Sequence, residues 1–181
     1  MIFHAAGLSG AVVVDIEPLE DERGYFARAW CQREFASNGL TTQWVQSNLS
    51  GNKRKGTLRG LHYQIAPHEE VKLVRCIAGS IFDVLVDLRP DSPTYLRHVA
   101  VELSAYNRRA VYIPKGIAHG FQTLEDDTEV LYLMSEFYAP ECARGVRWDD
   151  PLFKISWPTD SRTISARDAS YPDFHPEGGR S

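Results

Sequence analysis

Residues 80–88 read SIFDVLVDL and carry the strongest fold signal in the chain. The even-numbered positions from Phe82 to Leu88 are all apolar, whereas the odd-numbered positions mix apolar residues with Asp83 and Asp87. A period of two belongs to a β-strand, because successive side chains of a strand point to opposite faces of the sheet. This segment therefore predicts a strand in a barrel wall, with polar groups on one of its faces.

Further segments rich in β-branched and aromatic residues recur between turn signals, as in an all-β sandwich or barrel and unlike βαβ units. The additional predicted strands are residues 11–16, 42–48, 57–64, 70–78, 97–103, 110–113, 119–124 and 128–136. Two short helices are predicted at residues 32–38, before Gly39, and at residues 165–169. A chain of 181 residues with 43% hydrophobic content fits one domain, which we place at residues 1–175. Residues 176–181 lack an apolar anchor and are predicted to form a flexible tail.

Composition argues against several classes of protein. The 20 basic and 24 acidic residues give a net charge of -4, which disfavours nucleic-acid binding. No apolar run approaches the roughly 18 residues of a membrane span, and no signal peptide is evident. The three cysteines are odd in number and have no CxxC spacing, so neither a disulfide framework nor a zinc knot is indicated. We therefore expect a cytoplasmic protein without membrane or nucleic-acid partners.

Residues 59–64, RGLHYQ, place a histidine within a predicted strand. Simple alternation puts Arg59, Leu61 and Tyr63 on one face, opposite His62 and Gln64. A histidine that faces a barrel cavity suits proton abstraction, because its pKa is ordinarily near neutral. A hydrogen-bonded core histidine is the alternative for this hexapeptide taken alone.

Lys72 lies between apolar residues in a predicted strand. Facing outward it would be a solvated surface lysine, and facing inward its ammonium would stabilise an enolate. Tyr132 shares a strand face with Val130 and Met134, so it is either core filling or a proton donor in a cavity. Tyr138 would offer a stacking surface to a flat ligand or lie as a partly buried surface aromatic.

Residues 114–121, PKGIAHGF, match the second cupin pattern, PxGxxH. In metal cupins this histidine joins ligands from an earlier HxH motif and a glutamate. The first motif is absent here, because Tyr63 and Gln64 follow His62. The sequence therefore predicts no bound metal, and His119 is left to bind phosphate or to support His62.

Taken together and in this order, the motifs resemble the dTDP-4-dehydrorhamnose 3,5-epimerase family over nearly the whole chain. The resemblance rests on DERGYF (21–26), QSN (46–48), RGLHYQ (59–64), VKLV (71–74), VLVDLR (84–89), PKGIAHGF (114–121), Tyr132, YAP (138–140), GVRWDDP (145–151) and ISWP (155–158). It implies a cupin jelly-roll homodimer, a double-stranded β-helix barrel without metal or redox cofactor. The implied reaction is epimerisation of a nucleotide-linked 4-keto-6-deoxy sugar.

The resemblance also assigns roles, residue by residue. His62 matches the family's general base, Asp168 the carboxylate that orients it, Tyr132 the general acid and Lys72 the residue beside the ketone oxygen. The substrate-binding positions that it implies are Arg23, Phe26, Arg28, Gln46, Asn48, Arg59, His119, Tyr138 and Arg167.

Four positions near the implied pocket depart from the family pattern. Arg28 stands where the family usually has glutamate, and Ser47, Ala143 and Arg167 also differ from the usual residues. Thymine has a ring N–H that suits an acceptor, whereas the corresponding nitrogen of cytosine accepts and suits an arginine. The expected substrate is therefore dTDP-linked, with a CDP-linked sugar as the alternative that Arg28 suggests. The competing interpretation is that Arg28 faces solvent or pairs with a phosphate.

We expect an epimerase that inverts carbon 3, carbon 5 or both. A keto-isomerase on the same scaffold is the alternative among isomerases, and the His62 and Tyr132 pair disfavours it. A non-catalytic sugar-nucleotide-binding cupin has no need of a base, an acid and an orienting carboxylate together. A metal-dependent dioxygenase is the remaining alternative.

Overall fold

The structure is a computed structural model that describes residues 1–160 and 162–176. Residues 177–181, most of the predicted flexible tail, lie outside this description. Fourteen strands and two short helices form within the described ranges, which confirms the all-β prediction. The elements are β1 (Ile2–Ala5), β2 (Val12–Asp15), β3 (Leu19–Asp21), β4 (Gly24–Phe26), α1 (Gln32–Ser37), β5 (Gln46–Asn52), β6 (Thr57–Gln64), β7 (Lys72–Ala78), β8 (Ser80–Asp87), β9 (His98–Ser104), β10 (Ala110–Ile113), β11 (Ile117–Thr123), β12 (Thr128–Met134), β13 (Ala143–Gly145), β14 (Thr163–Ile164) and α2 (Ala166–Ala169). None of the described helices is long and apolar enough to cross a membrane.

The strands form two large sheets and one small one. The first large sheet has the order β1-β2-β10-β7-β12-β5, and the second has the order β13-β6-β11-β8-β9, with β14 pairing in parallel to β6. From β5 to β12 the chain changes sheet at every connection except that between β8 and β9. This repeated crossing wraps the two sheets around a common interior, and it confirms the predicted jelly roll.

Strand β8 shows how the wall is built. Its inner face places Ile81 and Leu85 in the core between the sheets, and its outer face packs Val84 and Val86 beneath Phe153 of the C-terminal segment. Both faces are therefore covered. The polar decoration predicted for one face consists of two fully buried aspartates, Asp83 and Asp87, each with a charged or ionisable partner.

Both predicted helices are present, each with a boundary that differs by one residue. Helix α1 buries Phe35 against Phe3 and Tyr112, and its chain reverses at Gly39, where φ is +69°. Helix α2 begins after Ser165, whose hydroxyl oxygen accepts the backbone N–H of Asp168 at 3.0 Å. This N-cap satisfies one of the free amides of the first turn.

A β-bulge between β6 and β11 changes which side chains enter the barrel. His119 pairs with His62 and Phe121 pairs with Arg59, so Gly120 alone opposes two residues of β6. An extra residue in one strand resets its alternation. The prediction that Arg59 lies opposite His62 is therefore wrong, because both side chains line the same cavity.

The backbone at this bulge requires glycine. Gly60 has a φ of +115°, and a Cβ there would lie 2.6 Å from the Cα of Gly120. A side chain at Gly60 would force the two strands apart, because the atom that its Cβ would meet belongs to the backbone of β11 and cannot rotate away. The glycines of the RGLHYQ and PKGIAHGF segments thus allow the close approach that brings β6 against β11.

Candidate active site

A cavity of about 350 Å³ opens between the two sheets. Nine of the thirteen site residues expected from the sequence line it: Gln46, Asn48, Arg59, His62, Lys72, His119, Tyr132, Tyr138 and Arg167. Strands β5, β6, β7, β11 and β12 supply seven of them, while Tyr138 follows β12 and Arg167 lies on α2. Asp168 contacts His62 at the cavity wall.

Asp168 fixes the ring of His62. The Nε2 of His62 lies 2.7 Å from Oδ1 of Asp168, and the other carboxylate oxygen accepts the Gly60 N–H at 3.2 Å. Burial by itself raises the pKa of the Asp168 carboxyl, but His62, Gly60 and Ser165 together hold that pKa below its ordinary value. The carboxylate therefore stays ionised and accepts the Nε2 proton, which leaves Nδ1 of His62 as the nitrogen able to take a proton.

A second histidine and aspartate pair lies across the ladder from the first. The Nε2 of His119 is 2.6 Å from Oδ1 of Asp83, and both side chains are almost completely buried. Burial raises the pKa of Asp83, against the opposing influence of His119. Because Asp83 occupies Nε2, only the remaining nitrogen of His119 is free to contact a ligand in the cavity. Within residues 1–160 and 162–176, no group of three or more His, Cys, Asp or Glu side chains is arranged to hold a metal ion.

Tyr132 lies in the cavity wall beside this second pair. Its ring packs edge-on against the His119 ring, with 6.1 Å between centroids. Burial, followed by the nearby charge of Asp83, raises the pKa of the Tyr132 hydroxyl far above its ordinary value. The hydroxyl therefore remains protonated at neutral pH and can act as a donor.

Lys72 faces inward, so the alternative of a solvated surface lysine is wrong. It is 6% exposed, and its Nζ donates to the carbonyl oxygen of His62 at 2.9 Å. The same Nζ lies 2.9 Å from Oε1 of Glu70, which also lines the cavity. Sequence reasoning missed Glu70. The available signal was its spacing of two from Lys72, which puts both side chains on one face of an extended segment.

Among the residues that the structure describes, the guanidinium groups of Arg59, Arg144 and Arg167 line the cavity. Arg59 donates to Oδ1 of Asn52 at 2.7 Å, and Arg144 on β13 donates to the backbone carbonyls of Glu141 and Ala143. Arg167 lies beside the Tyr138 hydroxyl, and this contact raises the pKa of the guanidinium. These partners are neutral groups, so the arginines keep charge available for an anion. Arg144 was not anticipated from the sequence, although it adjoins the GVRWDDP segment.

The remaining three expected substrate-binding residues lie away from this cavity. Arg23 pairs with Asp21 on the β3–β4 hairpin, and Phe26 at the end of that hairpin is 76% exposed. Arg28 donates to Oε1 of Glu34 at 2.9 Å. That these three residues contact a substrate stays a prediction. Within one chain, none of them lines this cavity.

The family model described as dTDP-4-dehydrorhamnose 3,5-epimerase matches residues 5–176. The dTDP-4-dehydrorhamnose 3,5-epimerase of Methanothermobacter thermautotrophicus is 45% identical over 172 residues, which cover 93% of this chain and 92% of the relative. The solved Bacillus anthracis dTDP-4-dehydrorhamnose 3,5-epimerase, with TDP and PPi bound, has a TM-score of 0.93 at 36% identity and covers 96% of this chain and 99% of its own. A 3'-monoepimerase from Streptomyces bikiniensis, in complex with dTDP-quinovose, has a TM-score of 0.87 at 33% identity and covers 94% of this chain and 86% of its own.

These matches span nearly all of the described residues and agree in sequence and in fold. They confirm the resemblance found in the sequence motifs. The chain belongs to the dTDP-4-dehydrorhamnose 3,5-epimerase family and is a carbohydrate epimerase.

Proposed function

We propose that this epimerase acts on a nucleotide-linked 4-keto-6-deoxy sugar and inverts carbon 3, carbon 5 or both through an enolate. The observation that carries the proposal is that His62, Lys72 and Tyr132 line the same cavity, with Asp168 bound to His62. The relatives that carry dTDP-sugar epimerase names support it. The combination supplies a base, an acid and a cation without requiring a second site.

The chemistry begins at a carbon next to the ketone, where the carbonyl acidifies the C–H bond. The Nδ1 of His62 takes the proton, and Asp168 stabilises the resulting imidazolium. The electron pair moves onto the ketone oxygen, where the Lys72 ammonium donates a hydrogen bond to the developing enolate. Tyr132 then returns a proton to the carbon from the opposite face, and exchange with water resets both side chains. The raised pKa of Tyr132 keeps the hydroxyl protonated before the reaction, as a proton donor requires.

The three arginines favour a diphosphate as the anionic part of the substrate. A guanidinium group presents paired N–H donors that match phosphate oxygens, and the partners of Arg59, Arg144 and Arg167 leave their charge unneutralised. We propose a dTDP-linked sugar as the substrate, in line with the ligands in the solved relatives. A CDP-linked sugar is the alternative, supported by Arg28, although Glu34 already binds one nitrogen of that guanidinium.

We also propose a homodimer, in which each hairpin reaches the partner's cavity. The isolated β3–β4 sheet leaves Leu19, Tyr25 and Phe26 between 52% and 76% exposed in one chain. A two-stranded sheet with such apolar exposure is only marginally stable alone. Docking on a second copy would cover it and carry Arg23, Phe26 and Arg28 towards a sugar nucleotide. Light scattering should therefore give a mass twice that of one chain, and a single-chain mass at micromolar concentration would contradict the dimer.

The free cysteines Cys31, Cys76 and Cys142 support a reducing compartment, and we propose a cytoplasmic location on that basis. Recovery of the enzyme in an oxidising compartment on cell fractionation would contradict it.

Solvent deuterium exchange followed by NMR tests the proposed reaction. The protein is incubated in deuterium oxide with 4-keto-6-deoxyglucose linked to dTDP and, separately, to CDP. We expect label at carbon 3, carbon 5 or both, at a rate that depends on the amount of protein. Movement of the carbonyl would favour a keto-isomerase, and binding without label would favour a sugar-nucleotide-binding protein. Tighter binding of dTDP than of CDP would remove the CDP alternative.

A further inference from the structure

We propose that Glu70 is a positioning residue that holds the Lys72 ammonium at the reacting end of the cavity. The proposal rests on the proposed function, since it names how one of its groups is held. Glu70 and Lys72 are 7% and 6% exposed, and both line the cavity. The Nζ of Lys72 lies 2.9 Å from Oε1 of Glu70.

The pair attaches the beginning of β7 and the residues before it to the end of β6, where the pairing with β11 stops. Leu61 exchanges both backbone hydrogen bonds with Val146, so the His62 carbonyl and the Gln64 N–H point to the opposite edge of β6. On that edge the pairing with β11 ends at His62. Buried backbone groups of this kind need partners.

Glu70 supplies a partner for the Gln64 N–H, and Lys72 adds a side-chain donor to the His62 carbonyl. Oε2 of Glu70 accepts the Gln64 N–H at 3.0 Å, and Nζ of Lys72 donates to the His62 carbonyl at 2.9 Å. The carboxylate and the ammonium are thereby anchored on the Gln64 N–H and the His62 carbonyl, which lie on the same edge of β6. The position of Lys72 relative to His62 is set by this four-membered network.

The network leaves one donor of Lys72 for a ligand. An ammonium group has three N–H donors, and the His62 carbonyl and Glu70 take two of them. The third is the donor that a ketone or enolate oxygen in the cavity would meet. Without Glu70 the Nζ would rotate about a single anchor, so its hydrogen bond to the developing charge would no longer be preorganised.

The negative charge of Glu70 also makes burial of Lys72 tolerable. A buried ammonium without a partner carries a large desolvation cost, which an adjacent carboxylate offsets. Glu70 therefore allows the Lys72 ammonium to remain charged and buried in the cavity wall. Its neighbour Glu69, which lies outside this cavity, offers a matched control position.

The test measures epimerisation in Glu70→Ala, Glu70→Gln and the control Glu69→Ala. We expect Glu70→Ala to lower kcat about tenfold or more with KM changed less than about twofold, because misplacing a catalytic group acts on the transition state. Glu70→Gln keeps the size of the side chain but has one acceptor oxygen for two donors, so its kcat should lie between those of the parent and Glu70→Ala. In a Lys72→Met background, Glu70→Ala should lower kcat no further. An undiminished effect in that background, or a kcat for Glu70→Ala equal to that of Glu69→Ala, would overturn the proposal.

A second measurement does not depend on turnover. The side-chain ammonium signal of Lys72 in a ¹H–¹⁵N spectrum, assigned by its loss in Lys72→Met, should be protected from exchange with water and lose that protection in Glu70→Ala. An unchanged signal would show that Glu70 does not hold Lys72. If the parent protein exchanges no deuterium into the sugar while the ammonium signal behaves as expected, the proposed reaction fails and the positioning by Glu70 stands.

Discussion

His62→Ala should slow solvent exchange into the keto sugar by about a hundred- to ten-thousandfold, the usual contribution of a positioned general base. The effect follows from the geometry, because His62 lines the cavity and Asp168 binds its Nε2, which leaves Nδ1 as the nitrogen able to take a proton. Rates of deuterium incorporation at saturating substrate measure it directly. The variant removes the only nitrogen that the proposed reaction uses as a base, so this is the largest effect that we expect.

The control for this variant is His98→Ala, because His98 lies on β9 and does not line the cavity. His98→Ala should keep the parent rate, and the affinity of His62→Ala for the free nucleoside diphosphate should stay within about threefold of the parent. A His62→Ala rate within a factor of ten of the parent would rule out His62 as the base.

Asp168→Asn should lower kcat by a similar order, roughly a thousandfold, while leaving the fold intact. The asparagine oxygen would accept the Gly60 N–H, so its amide nitrogen would face Nε2 of His62 and donate to it. His62 would then carry its proton on Nδ1 and could no longer accept one there. Steady-state kinetics would measure the loss, and a kcat within tenfold of the parent would contradict the tautomer argument.

Asp168→Asn should also change how the free energy of unfolding depends on pH. The lowered pKa of Asp168 means that the carboxylate stabilises the folded state above the ordinary carboxyl pKa of about 4, and that this contribution disappears as the pH falls through the lower folded value. Asp168→Asn should therefore reduce the free energy of unfolding by about 1.5–3 kcal/mol at neutral pH. The difference from the parent should shrink on acidification below pH 4. Denaturant titrations at pH 7 and near pH 3 would measure both values, and equal differences would contradict the prediction.

Nine of the fourteen described strands could be predicted because they depend on local pattern, although the strand predicted at residues 42–48 lies four residues later, at Gln46–Asn52. The alternation in residues 80–88 became β8, and the glycine at position 39 ended α1 within one residue of the expected place. The family could also be predicted, because its motifs are short blocks of residues at fixed spacings along the chain. The catalytic roles of His62, Lys72, Tyr132 and Asp168 remain predictions, although their grouping around one cavity agrees with them.

Other features depended on contacts between distant segments. The face predicted for the Arg59 side chain from simple alternation was wrong. The bulge opposite Gly120 arises from the pairing of two strands and is not encoded in either strand alone. Arg144 was missed because the closure of the barrel brings it to the cavity wall, whereas Glu70 had a signal in its spacing from Lys72.

The sequence by itself determined the strand periodicity, the two short helices and the family, because these follow from neighbouring residues along the chain. Only the tertiary structure decided that Lys72 faces inward, that Glu70 and the His62 carbonyl hold it, and that Arg59 shares a face with His62. The physical reason is that burial and hydrogen bonding in these cases are set by the packing of one sheet on the other.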